Sequence, residues 1–216
     1  MHHDTGDAMT DDFSTEQKIK QAAQRVFLKK GYAATRTRDI AEEAGFNPAL
    51  LNYYFRSKEK LFEIVMLENM QMFVAGVVGI LTDDATTLRQ KLHILVSHYI
   101  DMLQANPDLP AFMIGEIRDN PDGLMEKIGF SKLPPDASIL MQWRTLAGEN
   151  GTFKPTHIMM NLLAMVVFPF ATAPLIRSRT AMDRTAFSAL MEERKELIPM
   201  WIEQMILAGA TTNPKS

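Results

Sequence analysis

The chain has 216 residues, 46% of them hydrophobic, which is enough for a real core and too apolar for wholesale disorder. With no cysteine, disulfides and thiolate metal sites are excluded. The net charge of −3 conceals a gradient: residues 14–60 hold ten Lys/Arg against five Asp/Glu, whereas residues 61–216 hold thirteen against seventeen. A small basic unit on a larger acidic one points to a polyanion partner for the first unit alone.

In chain order, residues 1–13 are polar and acidic and are expected to form a disordered tail without a signal-peptide run. His2 and His3 lack the further ligands that a metal site requires. From a cap at Ser14 or Thr15, Ile19, Ala22, Ala23, Val26 and Phe27 fall on one stripe of a helix, ended by Lys29, Lys30 and Gly31. Thr37 then caps a short helix holding Ile40, Ala41 and Ala44, which Gly45 stops. Asn47-Pro48 restarts the chain as a second short helix, with Asn as cap and Pro in the first turn. Leu51 and Phe55 are its core side, and it ends near Arg56. Ser57 caps a long helix from Lys58 that carries Leu61, Phe62, Val65, Met66, Met70, Phe73 and Val77.

Leu88, Leu92, Leu95, Val96, Tyr99, Ile100 and Leu103 predict a further helix, ended by Asn106-Pro107. A short apolar helix follows over Leu109–Arg118, then a turn at Asn120-Pro121-Asp122-Gly123. Residues 123–135 are expected to give a short helix and a loop with Pro134-Pro135. Two long helices close the chain, about Pro155–Ala173, bent near Pro169, and about Asp183–Ala208. The most apolar stretch, Ile158–Ile176, is interrupted by Asn161, Pro169 and Pro174 and reads as a buried helix rather than a membrane span. No alternating strand pattern occurs. The expected fold is all-α: a three-helix helix-turn-helix domain over 14–60 joined to a larger helical domain over 61–216, in a cytoplasmic protein that no membrane holds.

Two short helices joined by a tight Gly turn are the helix-turn-helix signature, in which the second helix enters the major groove. A helix as short as that after Asn47 cannot pack Asn47, Ala49, Leu50, Asn52, Tyr53 and Tyr54 all at once. Asn can pair with adenine edges, Ala or Leu can touch a thymine methyl, and Tyr hydroxyls can reach phosphates. Thr37 and Lys58 stand at helix N-termini, whose free N–H groups favour a phosphate.

The stretch TRTRDIAEEAGFNPALLNYYFRSKEKLF (35–62) resembles the DNA-binding domain of the tetracycline-repressor (TetR) family of bacterial transcriptional regulators. The likeness rests on KKGYAATRTRDIA, the Ala-Gly turn, Tyr54-Phe55 and SKEKLF, and is specific from about Thr15 to Leu67. By that resemblance Asn47, Pro48, Ala49, Asn52 and Tyr54 sit where the family reads bases. Thr37, Tyr53 and Lys58 sit where it grips phosphates, with Arg38 in the same DNA-binding set. NPALLNYYF departs from many members: Leu50 stands where Thr is frequent and Asn52 where Tyr is frequent.

The resemblance also implies that the second domain binds a small effector and dimerises. Sixteen methionines, most of them in this domain, suit adaptable apolar pockets. Candidate pocket residues are Phe73, Tyr99, Met102, Phe112, Met113, Glu116, Trp143, Asn161 and Met165. The closing helices supply the dimer candidates Met160, Leu163, Val167, Phe187, Met191, Arg194, Ile198, Trp201, Ile202 and Met205. The function expected is a sequence-specific regulator, a repressor released from a palindromic operator on double-stranded DNA by a small apolar or amphipathic effector. Two reading helices ~34 Å apart in a homodimer would suit such a palindrome. No catalytic set, cofactor or metal site is expected, since there is no Gly-rich phosphate loop, H-E-x-x-H or G-x-S-x-G. The alternative is a non-enzymatic, all-helical DNA-binding architectural or protein-interaction module without effector response.

Overall fold

The computed structural model describes residues 6–129, 137–147 and 154–211. Every regular element among them is an α-helix. The head comprises α1 (Gly6–Lys30), α2 (Thr37–Ala44) and α3 (Pro48–Phe55). Then come α4 (Lys58–Thr82), α5 (Leu88–Ala105), α6 (Leu109–Asp119), α7 (Pro121–Lys127), α8 (Ser138–Ala147), α9 (Pro155–Ala171), α10 (Ala173–Thr180) and α11 (Arg184–Thr211).

The stripe on α1 is buried as its spacing predicts: Ile19, Ala22, Ala23, Val26 and Phe27 all lie inside, against α2 and α4. Phe27 meets Phe62 of α4 edge-on at 5.1 Å, and Phe62 meets Phe112 of α6 edge-on at 5.8 Å, so one aromatic row joins head to second domain. α4 crosses the expected boundary at residue 60 without a break, and the two units share that helix. Ser57 Oγ caps it by accepting the Lys60 N–H at 3.1 Å.

At the far end of α4 the chain turns around Lys91, which is fully buried. Its ammonium donates to the carbonyls of Asp83 and Thr86 and to Thr86 Oγ1, so neutral oxygens satisfy its three protons. α5 and α11 run antiparallel. Arg89 donates to Glu203 at 3.1 Å, His93 lies 3.6 Å from Glu196, Lys195 pairs with Asp101 at 2.6 Å and Gln104 donates to the Ser188 carbonyl at 3.2 Å. Between these polar flanks Leu92, Val96, Ile100 and Leu103 of α5 and Met191, Ile198 and Ile202 of α11 are buried.

Several expectations are corrected. α1 begins at Gly6, inside the stretch expected to be a disordered tail; residues 1–5, with His2 and His3, lie outside the described residues. Thr37 is the first helical residue of α2 rather than its cap, because Arg36 holds the extended cap conformation and Asp39 reaches back to its N–H at 2.8 Å. Asn120-Pro121-Asp122-Gly123 opens α7 instead of making a turn: Asn120 Oδ1 accepts the Gly123 N–H at 3.0 Å with Pro121 in the first turn. α9 runs through Pro169 and breaks at Thr172, and α10, with Pro174 in its first turn, leaves at 65° to it. α8 and α10 had no helical stripe to announce them. Pro134-Pro135 lies outside the described residues.

Candidate nucleic-acid interface

Gly45 adopts φ +74°, the left-handed turn that ends α2, and the N–H of Phe46 returns to the Ala41 carbonyl at 2.9 Å. Two residues later Asn47 Oδ1 caps α3 by accepting the Leu50 N–H at 2.8 Å. The helix is pinned by Leu51 and Phe55, one turn apart and both buried. Its opposite side is therefore determined. Pro48, Ala49, Asn52 and Tyr53, at i, i+1, i+4 and i+5, are all exposed, and Tyr53 is 76% exposed. Leu50 and Tyr54, one turn apart, lie along one flank, half-buried, and the Tyr54 ring packs against the core and edge-on to Tyr53 at 5.2 Å.

Beside this face the starts of α2 and α4 and the end of α3 enclose an open cleft of about 480 Å³. Thr35, Arg36, Thr37, Asn52, Arg56, Ser57, Lys58 and Glu59 line it. Three cationic groups against one carboxylate make it a seat for an anion, and residues at the N-terminal ends of α2 and α4 line it. Arg36 and Arg56, which the sequence reading omitted, belong to this cleft. Their signal was position: each is a basic residue at a helix terminus of the motif. Arg56 takes a positive φ of 65°, ends α3, and is exposed. Arg38 is also exposed.

The acidic groups nearby are already neutralised or engaged. Lys30 and the Arg36 N–H hold the Asp39 carboxyl below the ordinary aspartate range. Hydrogen bonds from its own backbone N–H and from Ser57 hold Glu59 below the ordinary glutamate range. Lys58, expected at a phosphate, spends two donors on the carbonyls of Tyr32 and Thr35, both at 3.1 Å, and its cation lies 4.2 Å from the Tyr32 ring centroid.

In the second domain, the Phe73 and Tyr99 rings meet tilted with centroids 4.6 Å apart, and burial pushes the Tyr99 phenol up to about 12. Met102, Phe112, Met113 and Met165 are half-buried against the core and Trp143 is buried. Asn161 donates to the Met205 thioether at 3.5 Å, joining α9 to α11. Glu116 pairs with Lys127 at 3.3 Å, and Lys127 also reaches Glu63 at 3.6 Å. Among the described residues no group of three or more His, Asp or Glu is placed to hold a metal ion.

Four of the dimer candidates are corrected. Phe187, Met191, Ile198 and Ile202 are buried within the chain itself, where α11 meets α5 and α9. Met160 (59% exposed), Leu163 (39%) and Trp201 (36%) are on the surface, joined there by Phe168 and Met200. Val167 and Met205 are half-buried. Arg194 donates to the Met165 carbonyl at 2.9 Å and lies over the Trp201 ring at 5.4 Å.

Comparison with known proteins gives a consistent picture. Residues 19–65 match the model of the bacterial regulatory proteins, tetR family. The HTH-type transcriptional repressor KstR2 of Mycolicibacterium smegmatis is 28% identical over 151 residues, spanning 61% of this chain and 73% of that protein. The HTH-type transcriptional repressor NicS of Pseudomonas putida is 32% identical over 102 residues, 47% of this chain and 48% of its own. Among solved structures, a TetR/AcrR-family transcriptional regulator from Thermobifida fusca shares the fold, with TM-score 0.55 at 19% identity over 85% of this chain and 96% of that one.

Proposed function

The chain belongs to the TetR family of bacterial transcriptional regulators, and from that premise we propose that it is a dimeric repressor that leaves a palindromic operator when a small molecule occupies its second domain. The observation that carries this reading is the polarity of α3. Leu51 and Phe55 are buried on one side, while Ala49, Asn52 and Tyr53 stand free on the other beside a cationic cleft. Asn52 is the base reader, offering donor and acceptor to an adenine edge, with Ala49 and Pro48 against the groove wall. Arg36, Arg38, Arg56 and Tyr53 take phosphates, together with the N–H groups of Thr37 at the start of α2. Asn47 serves the face by capping it, and Tyr54 by holding its flank.

Eight residues of α3 read too few bases alone, which calls for a second copy. Met160, Leu163 and Phe168 of α9 and Met200 and Trp201 of α11 are exposed apolar residues on two helices that pack together, and a symmetry mate would cover them. The effector is small and apolar or amphipathic. Tyr99 offers a neutral phenol among Phe73, Met102 and other polarisable side chains, which suits an apolar body with one polar group. Such a ligand lowers operator affinity by its differential affinity for the two head spacings. The protein works in the cytoplasm, where the operator is.

The test is a mobility shift of DNA from upstream of its own gene, titrated with salt. Retardation with log affinity falling linearly in log salt is expected. Absence of any complex at low salt contradicts the reading. A thermal-shift screen of small molecules then identifies the effector class, which must also release the DNA.

A further inference from the structure

The loop between α1 and α2 leads into the DNA-facing cleft, and Tyr32 in that loop is bonded from two domains at once. Its carbonyl accepts from Lys58 of α4 at 3.1 Å, its ring lies 4.4 Å from Phe62, and its hydroxyl donates to Glu59 at 3.3 Å. Its N–H donates in the opposite direction, to Asp108 Oδ2 at 2.7 Å. Gly31, at φ +77°, makes the turn that aims this N–H at the carboxylate.

Asp108 stands at the cap position of α6, where an Asp side chain ordinarily satisfies its own helix. Here it makes no such bond and reaches the head instead. Asn106, two residues earlier, closes the end of its own helix, donating Nδ2 to the Met102 carbonyl at 2.9 Å, and also reaches outward. Its Oδ1 accepts from Asn69 of α4 at 2.7 Å in a buried contact, and Asn69 Oδ1 accepts from Gln24 of α1 at 3.2 Å. Pro107 between them has a fixed φ, so the two side chains share one rigid corner.

We propose that the Asn106-Pro107-Asp108 corner is a clasp that sets the position of the DNA-reading head relative to the second domain. The corner holds the head at two points, Tyr32 of the α1–α2 loop directly and Gln24 of α1 through Asn69. Any displacement of the α5–α6 junction is handed to Tyr32, whose carbonyl shares Lys58 with Thr35, and so to the residues that open the cleft and start α2. Its consequence for head spacing rests on the dimeric, palindrome-reading function above.

The experiment compares wild type, Asp108→Ala and a control at the other end of α6, Asp119→Ala, with two readouts. The first is amide hydrogen exchange of the peptide covering residues 31–37. The clasp requires exchange there to speed up about tenfold in Asp108→Ala and to stay unchanged in the control. The second is affinity for duplexes carrying two inverted half-sites whose separation is varied one base pair at a time. Asp108→Ala is expected to lose about tenfold of the preference for the best separation, with single half-site affinity unchanged. Wild-type exchange at 31–37 in Asp108→Ala overturns the clasp, as does a retained separation preference. A wild-type protein indifferent to separation sinks the palindrome reading instead, and exchange alone then decides the clasp. Should Asp108→Ala fail to fold, Asp108→Asn, which keeps an acceptor oxygen without the charge, must show intermediate exchange; wild-type exchange there is equally fatal.

Discussion

At the scale of single residues, the face of α3 follows from two buried anchors. Once Leu51 and Phe55 point inward, the helical repeat leaves Ala49, Asn52 and Tyr53 outward. Asn47 and Asn52 then have separable tasks. Asn47→Ala removes a cap and should cost about 1 kcal/mol, read as a melting temperature lower by roughly 2–4 °C, with base preference kept. Asn52→Ala should leave the melting temperature in place and relax preference at one operator position by about 1–3 kcal/mol, measured by competition with substituted duplexes. The reverse pattern would reassign both. The sequence made the anchors and the Asn cap legible, because local spacing and capping chemistry decide them. It did not show that Tyr54, rather than Tyr53, packs against the core, since adjacent aromatics differ only in which side of the helix the core claims. Nor did it show that Lys58 turns back to two carbonyls, a contact set by a loop more than twenty residues earlier.

At the scale of elements, α4, α6 and α7 meet at one ion cluster. Hydrogen bonding and charge from Lys60, with Lys127 adding to them, hold the Glu63 carboxyl below its ordinary range, and Glu116 raises Lys127. A carboxyl depressed in the folded state stabilises above its unfolded pKa, and that contribution is lost as pH falls through the folded value. Stability should therefore decline as pH drops below about 4.5, the ordinary glutamate value. Glu63→Gln should flatten that part of the decline. The groups are largely solvated, so the effect stays below about 1 kcal/mol. Denaturant midpoints at a series of acid pH values check this, and an unchanged slope in Glu63→Gln refutes it. Long amphipathic elements such as α5 were legible from their stripes. The Asn120-Pro121 start of α7 was misread because the same residues serve turns and caps. The cap bond from the Gly123 N–H to Asn120 Oδ1 marks the helix start, and a Cβ on Gly123 would fall 2.2 Å from Asn120 Nδ2, so the cap needs the glycine.

At the scale of the molecule, the second domain was the least legible part. Apolar residues on α11 serve two neighbours, and composition does not divide them: Phe187, Met191, Ile198 and Ile202 went to this chain's core, leaving Trp201 and Met200 to the surface. A charge on the exposed side should separate copies without unfolding either. Leu163→Glu combined with Trp201→Glu is expected to elute as a monomer with an unchanged helical spectrum, and its operator affinity should fall by at least about a hundredfold. A dimer surviving both substitutions would move the interface elsewhere. The central claim is that two α3 helices of a dimer read an inverted repeat. Its most direct measurement is selection of bound duplexes from a randomised library by the wild-type protein. Enriched sequences should converge on two inverted half-sites at a fixed separation; a single unpaired site, or no convergence, would contradict the account.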